Sequence, residues 1–120
     1  MQNGVDIVQI NRFEKLMQND SFLKKYFNKI EWEYISQKNN KTETVSGLYA
    51  IKEAVLKALG IGIGNGLDLK EIVINHDANG APFVEIDAKM QYYLSLKGCS
   101  NISVSTSHDG EYAVAFCVIN

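Results

Sequence analysis

One proline, one arginine, two cysteines and two histidines are all that 120 residues hold of these types, and each shortage excludes something. Cys99 and Cys117 lack metal-ligand spacing and are too few for a disulfide framework, so they read as small buried apolar side chains of a reducing compartment. Pro82 alone cannot make a proline-rich linker, and there is no internal repeat or low-complexity tract. With eleven lysines but only Arg12, any step needing a rigid two-pronged guanidinium falls to that residue. Neither sign of charge dominates: twelve basic and fourteen acidic residues leave a net charge of -2. That balance gives no electrostatic reason to bind nucleic acid or a membrane surface. No run approaches the roughly 20 apolar residues that span a bilayer. The start, MQNGVDIVQI, lacks the charged region and long apolar run of a signal peptide, so a cytoplasmic protein is expected. No nucleophile elbow accompanies the serines and histidines, which argues against a hydrolytic triad.

What is present suits one globular domain over residues 1–120, with 46% hydrophobic and 10% aromatic residues. Val5–Ile10 reads as a strand. A 3.6-residue rhythm through Phe13, Leu16, Met17, Phe22, Leu23, Tyr26, Phe27 and Ile30 predicts helix, resuming over Trp32–Ile35. Residues 36–41 read as a loop. The longest helix is expected over Glu43–Leu59, with Thr42 as N-cap and Gly60 as stop. Leu69–Asn75 and Pro82–Ile86 are predicted strands joined by a turn at Asn79-Gly80. Asp87–Lys97 is a predicted helix, and Asn101–Ser107 with Glu111–Ile119 a hairpin about Asp109-Gly110. The class expected is α+β, a largely antiparallel sheet with helices packed on one face.

Several charged residues stand where patterning would put apolar ones. Asp6 shares a strand face with Val8 and Ile10, while Val5 and Ile7 occupy the other, so the strand reads as central. A buried carboxylate there needs a cation, a basic partner or backbone amides, unless Asp6 merely caps the next segment. On the long helix, Glu43, Ser46, Gly47, Ala50, Glu53, Ala54 and Lys57 form a face of mostly small residues, open to close approach by a backbone or ligand. Glu53 and Lys57 have the spacing of an ordinary i, i+4 ion pair. Lys52 falls amid the apolar face, where snorkelling is the simple alternative. Gly60, Gly62 and Gly64 allow a loop to present amides to phosphate, or form a plain helix stop. His108 stands at the mouth of the last hairpin as a loop residue able to touch a polar ligand.

In order, these segments are similar to the holo-acyl-carrier-protein synthases, the small single-domain class of 4′-phosphopantetheinyl transferases. GVDIVQINR (4–12) resembles the family's Gly-x-Asp-Ile…Arg segment. YAIKEAVLKALGIGIG (49–64) resembles its Phe-Ala-x-Lys-Glu-Ala…Lys-Ala-x-Gly-x-Gly-x-Gly helix and loop. SVSTSHDGEYAVA (103–115) resembles its Ser-x-Ser-His segment and alanine-rich strand. The resemblance implies transfer of phosphopantetheine from coenzyme A to a serine of apo-acyl carrier protein, releasing 3′,5′-ADP. It implies that Asp6 and Glu53 bind Mg²⁺ with the coenzyme pyrophosphate, with Lys57 adding positive charge. It further implies coenzyme contacts from Lys57, the Gly60, Gly62 and Gly64 loop, and His108 across a subunit boundary, while Lys52 either reaches phosphate or ties the site together. Homotrimers with interfacial sites are the family's form, and Arg12, extended by Lys15, Lys24 and Lys25, matches its docking patch for the acidic carrier protein. The proton acceptor is either Glu53 or a water on the metal.

Three departures stand out. Leu48 replaces a usual arginine, Gln9 a frequent glutamate, and residues 29–33 compress a Phe-Thr-x-x-Glu stretch. They leave room for a catalytically impaired coenzyme A or carrier-protein binding module, and, in another class, for a plain oligomerisation scaffold.

Overall fold

Asparagines divide the first third of the chain. The computed structural model describes residues 1–62 and 64–120; Ile63, inside the expected glycine loop, lies outside the described residues. After strand β1 (Gln2–Gln9), the predicted helical stretch is three short helices: α1 (Arg12–Leu16), α2 (Asp20–Tyr26) and α3 (Lys29–Ser36). The Asn19 side chain accepts from Ser21 N at 2.9 Å and starts α2. Asn28 accepts from Glu31 N while Glu31 accepts from Asn28 N, both at 3.1 Å, a reciprocal capping box that starts α3. The apolar rhythm runs across the start at Asn19, so periodicity alone does not separate α1 from α2.

Helix α4 (Lys41–Leu59) begins two residues earlier than expected. Asn40, rather than Thr42, is its N-cap, accepting from Glu43 N at 3.0 Å. It ends as expected at Gly60, whose φ of 69° is left-handed and favours glycine. Leu69–Glu71 is a 3-10 turn, not the start of a strand, because the Glu71 side chain folds back to accept from Asp68 N at 3.0 Å. The hairpin β2 (Ile74–His76) and β3 (Pro82–Val84) follows, then α5 (Ala88–Leu96), β4 (Ile102–Asp109) and β5 (Tyr112–Ile119). All strand pairings are antiparallel, in one three-stranded sheet of order β1-β5-β4 and one β2-β3 pair. The α+β expectation holds.

Helix α4 runs across one face of the larger sheet and is buried nearly all round. Its small residues admit the close approach of a backbone, one of the two occupants expected, and that backbone is the chain's own. They lie on the chain's own sheet: Gly47 faces the Thr106 hydroxyl, and a Cβ at Gly4 would come within 2.1 Å of Ala54 O and 2.6 Å of Ala58 N. Only glycine lets β1 come so close. The opposite face meets Phe13, Phe22 and Tyr26, whose rings gather about Tyr49, while Phe27 lies by Lys52. Burying each such large side chain contributes on the order of 1.5–3 kcal/mol.

Strand β1 is an edge strand, not a central one. Gly4, Asp6 and Val8 turn inward toward α4, and Val5 and Ile7 point outward at 53% and 63% exposure. Val5 pairs with Phe116 and Ile7 with Val114, so the sheet carries an exposed apolar outer face. Both faces of β1 are apolar, but among the described residues only the inner one is covered.

Candidate active site

The close approach of β1 to α4 brings Asp6 beside the C-terminal half of the helix. Lys57 Nζ donates to Asp6 Oδ1 and to Val5 O, each at 3.0 Å. The lysine thus bridges helix to strand rather than closing an i, i+4 pair with Glu53. Asp6 Oδ2 is buried without a hydrogen-bond partner, the orphan of this kind among the described residues. Such an oxygen is costly unless something outside the chain compensates it. Glu53 is half-buried, and its carboxyl pKa is raised, first by burial, with Asp6's negative charge adding to the shift against Tyr49, Lys57 and Arg12. Two carboxylates that repel each other, one with an unmatched oxygen, fit a hard dication. Such an ion takes one or two carboxylates and fills its shell with water and substrate oxygens. No group of three or more His, Cys, Asp or Glu residues among the described residues makes a self-sufficient metal cage.

Arg12 stands at the start of α1, its guanidinium 5.0 Å from the Phe13 ring centre and 5.8 Å from that of Tyr49. Tyr49 joins this aromatic cluster to Glu53: burial and then the Glu53 charge push its phenol up to about 12. Lys25 lies over Tyr26, which meets Tyr49 edge-on at 6.0 Å. Arg12 and Lys25 are therefore arranged about one aromatic cluster next to the carboxylate pair. Lys15 and Lys24 are exposed on α1 and α2 and form no ion pair among the described residues. Between Lys25, Tyr26, Leu56, Gly64 and Leu67 opens a cleft of about 250 Å³.

Lys52 does not snorkel to solvent; of the two roles expected for it, it takes the tie within the fold. Its side chain is fully buried, and Nζ donates to Glu31 Oε1 at 2.6 Å, Leu69 O at 2.8 Å and Ile72 O at 2.9 Å. Three acceptors exhaust an ammonium's three donors. With its donors used within the chain, it ties α4 to α3 and to the segment behind the glycine loop. Burial pushes its pKa down to about 8 against the pull of Glu31, and burial raises that of Glu31. Sequence reasoning missed Glu31, whose second oxygen accepts from Ile74 N at 2.8 Å. The Asn28-x-x-Glu31 capping pattern was the available signal, though it foretells an exposed glutamate rather than a buried one.

Gly60 and Gly64 both have left-handed φ, 69° and 84°, and Gly62 and Gly64 are exposed. His108 and the carboxylate pair are not brought together within one chain. His108 instead lines a separate cleft with Glu43, Leu48 and His76, its Nε2 2.8 Å from Glu43 Oε1. His76, without an evident partner in the sequence, stacks on Tyr34 with ring centres 3.7 Å apart and planes within 6°. The two cysteines are free and buried, as expected.

Residues 2–117 match the model of the 4′-phosphopantetheinyl transferase superfamily. A holo-acyl-carrier-protein synthase of Caldicellulosiruptor saccharolyticus is 42% identical over 116 residues, covering 97% of this chain and 92% of that protein. The crystal structure of the Helicobacter pylori holo-acyl-carrier-protein synthase in complex with coenzyme A superposes with a TM-score of 0.86 at 30% identity, covering 98% of this chain and 99% of that one. The corresponding structure from Neisseria meningitidis gives 0.89 at 28% identity, covering 99% and 97%.

Proposed function

This chain belongs to the 4′-phosphopantetheinyl transferase superfamily, and from that premise we infer the reaction that its site performs. It transfers the 4′-phosphopantetheine group from coenzyme A to a serine of apo-acyl carrier protein, leaving holo-acyl carrier protein and 3′,5′-ADP. The observation that carries the chemistry is the Asp6–Glu53 pair with its unpartnered oxygen. In our reading Asp6 and Glu53 hold Mg²⁺, which when bound offsets the charge that develops on the pyrophosphate during displacement. Lys57, anchored by Asp6 and Val5, keeps a half-exposed ammonium at the same place for the phosphates. Glu53, whose proton affinity burial raises, is the side chain on hand to accept the serine proton. Gly60, Gly62 and Gly64 offer backbone amides to the coenzyme. Arg12, with Lys15, Lys24 and Lys25 around it, receives the acidic carrier protein beside the carboxylate pair. The free buried cysteines support a reducing, cytoplasmic setting.

Mass spectrometry of apo-acyl carrier protein incubated with the purified chain, coenzyme A and Mg²⁺ tests this directly. A gain of one phosphopantetheine group is expected. An unmodified carrier with retained coenzyme binding would favour the silent binding module, a reading kept alive by Leu48, which stands buried beside His108 where the family usually has arginine.

The exposed apolar sheet face supports a homotrimer, and the separation of His108 from Asp6 and Glu53 supports a site completed by a neighbouring subunit. Phe116→Glu puts a charge at the centre of that face. Light scattering after size exclusion is expected to show a trimer becoming a monomer, with transfer falling in parallel. A parent chain that runs as a monomer would sink the assembly.

A further inference from the structure

The cleft that holds His108 is short of cationic side chains. It measures about 120 Å³, and among the described residues no lysine or arginine lines it. The hydroxyls of Thr44 and Thr106, both on its wall, already donate to Asn40 O at 3.0 Å and to Val114 O at 2.9 Å. His76 is stacked flat on Tyr34, and burial, then the nearby Lys38, lowers its proton affinity. That leaves His108, about half exposed, as the other imidazole on the wall and the one an incoming anion can reach. Its Nε2 is occupied, 2.8 Å from Glu43 Oε1.

Glu43 is a residue out of its usual place. Asn28 and Glu31 at the start of α3 bond reciprocally, side chain to backbone in both directions. Asn40 and Glu43 have the same spacing at the start of α4, but only half the box forms: Asn40 accepts from Glu43 N, and the Glu43 carboxylate turns away to His108. A glutamate at this helical position normally reaches back to the N-cap amide. Glu43 therefore has a second resting place within its own helix turn. About one third exposed, it can reach it without disturbing the core.

We propose that Glu43 is a specificity-determining latch on His108, competing with the coenzyme's nucleotide phosphate for the imidazole. A phosphate that engages His108 must displace the carboxylate, both because the donor is taken and because like charges repel at that distance. The displaced Glu43 then closes the capping box with Asn40. The inference rests on the reading of His108 as a phosphate contact, and it makes the chain's coenzyme affinity a difference between two anions contending for one group.

Calorimetric titration of the full chain with 3′,5′-ADP separates the two claims. Glu43→Ala is expected to tighten binding roughly fivefold, the factor that corresponds to about 1 kcal/mol for a partly exposed hydrogen bond. Glu43→Gln, which keeps the shape but not the charge, should tighten it less. His108→Ala should weaken binding, and adding Glu43→Ala to it should then change nothing. In the coenzyme A assay, Glu43→Ala should act on KM rather than kcat. If Glu43→Ala leaves the dissociation constant unchanged or weakens it while His108→Ala weakens it, the latch is wrong and the phosphate contact stands. If His108→Ala has no effect, both are overturned, whereas carrier-protein modification by the parent chain reports on the transferase reading separately.

Discussion

Asp6→Ala is expected to reduce carrier-protein modification by about a thousandfold or more, the scale on which charge-stabilising groups act in phosphoryl transfer. The same change should leave the fold as stable as the parent or slightly more so. Asp6 Oδ2 is buried and unpartnered, so removing it relieves a desolvation cost. The bond lost to Lys57 is a small offset, because that ammonium is half-exposed and keeps Val5 O. Opposite signs in activity and stability are what a strained functional carboxylate produces. Glu53→Ala should match the loss of activity, and raising Mg²⁺ should not restore either variant. Thermal melting alongside the mass-spectrometric assay measures both quantities. Wild-type activity after either change would sink the metal assignment, and a collapse of stability in Asp6→Ala would show that the aspartate is structural.

Lys52→Met should act in the reverse way, on the fold rather than on the chemistry. The Lys52–Glu31 pair is wholly buried, and a methionine of similar length would leave the Glu31 carboxylate without a counter-charge. Breaking such a pair costs about 3–5 kcal/mol, and for a chain of this length that lowers the melting temperature by roughly 10–20 °C. Two backbone carbonyls, Leu69 O and Ile72 O, also lose their donor. In the cold, where the variant is folded, KM for coenzyme A is expected to stay at the parental value. Were Lys52 a phosphate ligand, as its place in the central motif implies, KM would rise with little change in melting. Differential scanning calorimetry with steady-state kinetics at low temperature distinguishes the two.

These expectations differ in how far the sequence alone supports them. Asp6 was legible as a charge on an apolar strand, because a period of two assigns it to one face whatever the tertiary fold. The α4–glycine-loop junction was legible for a similar reason, since a left-handed helix stop needs glycine at Gly60. What was not legible depended on which surface each face meets. The small residues of α4 look alike whether a ligand, a partner or the chain's own sheet lies against them; Gly4 decides among these, and it is far away in sequence. Lys52 looked like a misplaced surface lysine because its three acceptors come from residues 31, 69 and 72. Glu31 was hidden by the opposite error, a capping residue whose free oxygen reaches across to a strand amide. Val5 and Ile7 suggested a central strand because an exposed apolar face has the same composition as a buried one.

Gly4 also bears on how this site withstands change. The spacing between the strand that carries Asp6 and the helix that carries Glu53 is a contact of main chain on main chain. Exchanges among the surrounding core side chains can alter packing density without altering that spacing. The spacing of the two carboxylates is thereby insulated from much of the packing around it. The vulnerability is concentrated instead in a single position, where adding one methyl group would pry the pair apart.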